Sequence, residues 1–173
     1  AKGGGFHMTL KKLIAFYLLA FFFQLTLVNL LEVGGIVPNL VLCLTVGITF
    51  AYEEGYRAIP FGLVAMLFID ITSAYYIGVG ALSLFATAIL VIILRRQLNV
   101  EQWAPLIVTS IVTTFIYALM YWGLQKLMGD PMSGLYVLKT LGPYVLYNAV
   151  ITGIFFWFMS RSIKKREVRR YDT

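Results

Sequence analysis

Long apolar runs interrupted by short polar segments are the dominant pattern of this chain. In the stretch 60–84, an apolar run contains one carboxylate, Asp70, and breaks at Gly78-Val79-Gly80 before a second apolar run begins. A carboxylate inside such a run is costly in hydrocarbon, and a Gly-x-Gly break indicates a turn or a close approach of two helices. The stretch therefore predicts two membrane-spanning helices joined by a short hinge, with a buried acid ahead of the hinge.

The other apolar runs predict four further spans, because about 20 apolar residues cross a bilayer core of about 30 Å. The predicted spans are 13–31, 36–51, one from about 58 to the hinge, 79–94, 105–124 and 142–159. Pro38 falls in the first turn of the second span, where its missing N–H is tolerated. The segment 125–140, rich in turn residues, is predicted to be a loop long enough to cap a pocket. The expected fold is an all-α polytopic membrane protein with six transmembrane helices.

Composition supports this class of protein. The chain of 173 residues is 60% hydrophobic and 13% charged, whereas about 25% of residues are charged in soluble domains. We expect one transmembrane domain at 8–160 and a basic cytoplasmic tail at 161–173. Residues 1–7 look like a remnant of an expression tag, which would leave Met8 as the natural start.

The placement of basic residues predicts the orientation. If the N-terminus is cytoplasmic, eleven Lys and Arg residues beyond the predicted remnant fall in cytoplasmic segments and only Lys126 and Lys139 fall outside. This positive-inside bias predicts that both termini are cytoplasmic, and it argues against a nucleic-acid partner. The tail fits an ordinary topology anchor better than a site for anionic lipid. The predicted anchors are Lys11, Lys12, Arg95, Arg96, Arg161, Lys164, Lys165 and Arg166.

The reactive groups in the apolar runs are few. Asp70 is the single carboxylate well inside a span, Cys43 is expected to be a small core residue, and the only histidine, His7, belongs to the predicted remnant. A hydrolase needs a nucleophile with a base or a metal cluster, and these residues supply neither. We therefore expect no catalytic residues, no metal site and no cofactor.

Asp70 has two interpretations. It is either a structural acid that bonds a polar group of a neighbouring helix, or a site for a proton or cation. A lone acid without a partner network favours the structural role, and Asn148 is the best candidate partner by chemistry, with Tyr147 beside it. Aromatic residues near the span ends, such as Tyr121 and Trp122, are typical of interfacial belts.

Three segments of the chain resemble the MreD family of rod shape-determining proteins. They are VPNLVLCL at 37–44, FGLVAMLFIDITSAYYIGVGALSL at 61–84 and PYVLYNAVITGIFFWFMSRSIKKR at 143–166. The positions that match the family pattern are Pro38, Gly62, Asp70, Gly78, Tyr147 and Asn148, and Gly80 belongs to the same hinge. Asn39 stands where the family usually has Asp, which weakens any role that needs a charge there.

The resemblance implies a non-enzymatic protein of the bacterial inner membrane that binds the bitopic protein MreC. It would help to couple MreB filaments to the wall synthases RodA and a class B penicillin-binding protein, with membrane lipids around it. The family is similar in fold to the substrate-binding subunits of energy-coupling-factor vitamin transporters, which supply the alternative. Ala15 and Ala20, five residues apart, do not fit the Ala-x-x-x-Ala docking motif of those subunits.

Overall fold

The fold is all-helical. The computed structural model describes residues 9–26, 28–73, 76–98, 103–131 and 133–171. Its six α-helices are α1 Leu10–Thr26, α2 Leu40–Ala51, α3 Ile59–Ser73, α4 Val79–Gln97, α5 Trp103–Leu127 and α6 Gly134–Tyr171. Two short 3-10 helices, Val28–Leu31 and Gly55–Ala58, lie between α1 and α2 and between α2 and α3. The predicted tag remnant at 1–7 lies outside the described residues.

Within the described residues, four helical segments are long and apolar enough to cross a membrane. They are Gly55–Thr72, Val79–Gln97, Trp103–Leu127 and Gly134–Met159. On α4, the exposed side chains Leu82, Phe85, Ile89 and Ile93 recur every three or four residues, so they form one apolar stripe along the helix. An apolar stripe left exposed on a helix that packs through its other face fits a lipid boundary. The structure therefore agrees with the predicted class, a helical membrane protein.

Helix α2 forms the centre of the bundle. Every residue from Leu40 to Phe50 is buried, and α2 packs against each of the other five helices. Its 12 residues extend about 18 Å at 1.5 Å per residue, less than the bilayer core of about 30 Å. A central helix this short leaves a recess at an end of the bundle where its neighbours continue.

The second apolar run begins its helix later than the sequence predicts. Gly34 and Gly35 have positive φ angles of 61° and 81° in a turn, and Asn39 caps α2 by accepting a hydrogen bond from the Leu42 N–H at 2.9 Å. The prediction of a helix from residue 36 was wrong because the cap excludes the preceding residues from the helix. Pro38 consequently precedes α2 instead of lying in its first turn.

The predicted loop at 125–140 was also wrong. Helix α5 continues to Leu127 and α6 begins at Gly134, so only a short connection separates them. The predicted turn does occur at Gly129, which has a φ of 92°. Pro143 was predicted to lie at the start of a helix, but it lies inside α6. Membrane helices tolerate an internal proline where other groups satisfy the freed carbonyl.

Arg95 does more than flank a span. Its Nε donates to the Phe50 carbonyl at 2.9 Å and its Nη1 donates to the Glu53 carbonyl at 3.3 Å. A guanidinium at the carboxyl end of α2 satisfies carbonyls that the helix leaves free and complements the helix dipole. Lys11, Lys12 and Arg96 are exposed, as anchors should be. The side chains of Arg161, Lys164, Lys165 and Arg166 lie outside the described part of the chain.

Candidate functional site

A pocket opens at the end of the bundle where α1, α3 and α5 finish and where α2 and α6 begin. We call it the end pocket; its volume is about 320 Å³. It lies above the first turn of α2, where the short central helix leaves space between longer neighbours. Its polar and aromatic lining residues are Gln24, Asn39, Asp70, Tyr117, Tyr121, Trp122, Gln125 and Tyr144.

Asp70 caps the amino terminus of α4 across the hinge. Its Oδ2 accepts hydrogen bonds from the backbone N–H groups of Gly80 at 2.9 Å and Ala81 at 3.2 Å. Gly78 begins this turn with a φ of 89°, a left-handed conformation that favours glycine. The carboxylate thus complements the orphan donors and the positive end of the helix dipole. The hinge forms as predicted, but Asp70 bonds backbone groups of α4 and not Asn148.

Gly80 is required by the same contact. A Cβ built on Gly80 would overlap Asp70 Oδ1 and lie 3.1 Å from Asp70 Cγ. Gly62 allows an equally close approach elsewhere in the core, where a Cβ would lie 2.5 Å from Thr45 Oγ1. Both glycines therefore permit close packing of helices.

Asn148 holds the start of α2. Its Oδ1 accepts the Asn39 N–H at 2.8 Å and the Cys43 Sγ–H at 3.0 Å, and its Nδ2 donates to the Tyr144 carbonyl at 2.8 Å. Asn39 in turn donates from Nδ2 to Tyr117 Oη at 3.1 Å. We call Asn39, Asn148, Tyr117 and Gln24 the cap network. Cys43 is buried, as expected of a core residue.

Gln24 completes the cap network from α1. Its Oε1 accepts the Leu40 N–H at 2.6 Å and its Nε2 donates to the Pro38 carbonyl at 3.3 Å. Nothing local in the sequence shows which helix start Gln24 meets. With Asn39 and Gln24 both neutral, amide groups alone satisfy these donors of α2. The first turn of α2 is therefore capped without a charged side chain.

Tyr147 lies outside the end pocket. Its hydroxyl donates to the Leu31 carbonyl at 2.6 Å and ties α6 to the 3-10 helix Val28–Leu31. The neighbouring pair Tyr147 and Asn148 therefore serves two contacts, one to the connection before α2 and one to α2 itself. Of the residues predicted from sequence, the structure brings Pro38, Asn39 and Asp70 into the pocket lining and places Asn148 directly behind it.

Asn148→Leu should destabilise the bundle, because it leaves the Asn39 N–H without its acceptor inside the protein. An unsatisfied buried donor costs about 1–3 kcal/mol. We expect a lower thermal unfolding midpoint of the purified protein in detergent. Tyr147→Phe, which removes one exposed hydrogen bond next to it, is the matched control and should cause a smaller loss. Equal midpoints for the two variants would contradict the assigned role of Asn148.

No family model, curated protein or solved structure matches this chain. Within the described residues, no group of three His, Cys, Asp or Glu side chains could hold a metal ion. The fold and the site define a helical membrane protein whose polar residues cap helices around a pocket at one end of the bundle.

Proposed function

We propose that this protein is a non-enzymatic scaffold of the MreD type in the bacterial cytoplasmic membrane. It would bind MreC and help to couple MreB filaments to RodA and a class B penicillin-binding protein. The observation that carries the proposal is the structural role of residues on which the resemblance rests. Asp70 and Asn148 satisfy backbone donors at helix starts, so these positions are accounted for by the architecture of the bundle.

The proposal includes six spans with both termini in the cytoplasm. Helix α1 has 17 residues and extends about 26 Å, close to the bilayer core of about 30 Å. Helix α2 would be a short span sheltered inside the bundle, with its ends sealed by the cap network and by Arg95. With eleven basic residues on the cytoplasmic side, the end pocket would face outwards.

A tagged chain purified from native membranes tests the scaffold. We expect MreC and the wall synthases to be recovered and identified by mass spectrometry, while an unrelated six-span protein with the same tag recovers neither. Recovery of paired transport ATPases with their membrane coupling subunit would overturn the proposal.

Photo-crosslinking locates the contact with MreC. A crosslinking amino acid is placed at Phe85 and Ile89 on α4, and at Leu146 and Val150 on α6, because both pairs are exposed apolar positions one turn apart. A docked transmembrane helix should crosslink to both positions of one pair and spare the other. Equal crosslinking to MreC from all four positions would contradict docking through a defined helix face. Absence of crosslinks from these positions and from the other exposed apolar stripes would contradict it as well.

The second candidate is a substrate-binding subunit of an energy-coupling-factor type vitamin transporter, and the end pocket favours it. The pocket joins polar and aromatic groups in a cavity of about 320 Å³, as small-molecule sites do. Saturable micromolar binding of a vitamin to the purified protein, with recovery of the transport ATPases, would establish this candidate.

A further inference from the structure

We propose that the end pocket binds a small organic cation with an aromatic body, of the aryl-alkylamine class. This inference is independent of the scaffold function, since it concerns the purified chain and needs no protein partner. The cavity of about 320 Å³ falls at the low end of the range of about 300–1,000 Å³ for small-molecule sites. A ligand with one ring and a short chain is of a suitable size.

The charge of the lining favours a cation. Among the described residues that line the pocket, Asp70 is the one charged side chain, and none of them is Lys or Arg. Asp70 is 2% exposed, so an ion pair there is weakly screened. A carboxylate has about four acceptor sites, and the two bonds from the start of α4 leave capacity for a ligand N–H.

The aromatic walls favour the same ligand. The rings of Tyr117 and Tyr121 are stacked with centroids 5.9 Å apart and an interplanar angle of 14°, and Trp122 and Tyr144 also line the pocket. Electron-rich faces attract ammonium groups and also stack on an aromatic ring. The walls thus accept both the body and the charge of an arylalkylamine.

One donor in the wall lacks a partner. The Nε1 atom of Trp122 is buried and finds no hydrogen-bond acceptor among the described residues. A buried indole N–H usually has an acceptor, so this wall of the pocket contains an unused polar group. The cap network, by contrast, is satisfied internally, since Asn39 and Gln24 already use both ends of their amides.

Three probes that share one phenol ring separate the contribution of charge. They are tyramine, a cation, 2-(4-hydroxyphenyl)ethanol, which is neutral, and 3-(4-hydroxyphenyl)propionate, an anion. Binding is measured by equilibrium dialysis against the full chain in nanodiscs of neutral phosphatidylcholine, with empty nanodiscs subtracted. We expect saturable binding of tyramine with a Kd at least tenfold lower than that of either other probe.

Variants show whether the binding occurs in the end pocket. Asp70→Asn should remove the tenfold preference for tyramine, and Tyr121→Leu should raise the tyramine Kd at least fivefold. Tyr56→Leu, a change at an exposed tyrosine on the opposite end of the bundle, should leave the Kd unchanged. If Asp70→Asn does not yield folded protein, Tyr121→Leu against Tyr56→Leu decides the question.

Equal affinity for the three probes, tighter binding of the anion, or no saturable binding of tyramine would each overturn the inference. An unchanged tyramine Kd in folded Tyr121→Leu would do so as well. None of these outcomes bears on recovery of MreC from membranes, so failure of the ligand site and failure of the scaffold remain distinguishable.

Discussion

Asp70→Leu is expected to lower the free energy of unfolding by about 3 kcal/mol, because it removes a charged acceptor from two backbone donors, one buried and one partly buried. The N–H groups of Gly80 and Ala81 lose the carboxylate that caps α4, and leucine offers no replacement. We expect a lower thermal unfolding midpoint in detergent and a lower yield from membranes. If the scaffold proposal is correct, recovery of MreC per cell should fall with it.

Two controls isolate the cap. Asp70→Asn keeps an oxygen acceptor without the charge, so it should lose less stability than Asp70→Leu. Glu32→Gln makes the same kind of neutralisation at an exposed carboxylate between α1 and α2, and it should leave the midpoint unchanged. An Asp70→Leu protein with normal yield and midpoint would show that the carboxylate does not stabilise the hinge.

The hinge could be predicted from sequence because its signals are local. The Gly-x-Gly break and the acid lie within about ten residues of each other. The structure places Gly78 at the turn, and the Asp70 carboxylate at the end of α3 accepts a hydrogen bond from the start of α4. Only the identity of the partner was wrong. Asn148 was chosen for its chemistry, but a backbone donor at a nearby helix start is available to any acid and leaves no mark in the sequence.

The start of α2 shows why the site was harder to predict than the fold. Gln24 and Asn148 meet the first turn of α2 from 16 and more than 100 residues away. Such contacts depend on how helices pack, which apolar periodicity does not specify. The neutral cap at Asn39 was visible only as a departure from a family pattern.

The length of the central helix α2 could not be predicted from the sequence either. An apolar run such as 36–51 reads equally well as a full span or as a short helix buried on all sides. In the structure α2 is a short helix of 12 residues, buried from Leu40 to Phe50. The end pocket follows directly from that difference, and Tyr121 and Trp122, which looked like interfacial residues, became part of its wall.

Gly55→Ala is expected to destabilise the opposite end of the bundle by about 3 kcal/mol, at the upper end of the usual cost of overpacking. A Cβ on Gly55 would overlap the Ile48 carbonyl oxygen and lie 2.7 Å from Thr49 Cα and 2.8 Å from the Thr49 carbonyl oxygen. These are backbone atoms of α2, so no side-chain rotation relieves the overlap. The thermal unfolding midpoint in detergent should fall clearly below that of the unmodified chain.

Gly123→Ala is the matched control, because a Cβ on this residue of α5 meets no atom within 4 Å. Alanine is favoured over glycine in a helix by up to about 1 kcal/mol, so this variant should equal or exceed the parent in stability. A Gly55→Ala protein as stable as Gly123→Ala would contradict the tight contact of the 3-10 helix with α2. Since Gly55 lies at the end remote from the pocket, folded Gly55→Ala protein should still bind tyramine. Loss of tyramine binding together with the loss of stability would mean that the short central helix transmits strain along its whole length.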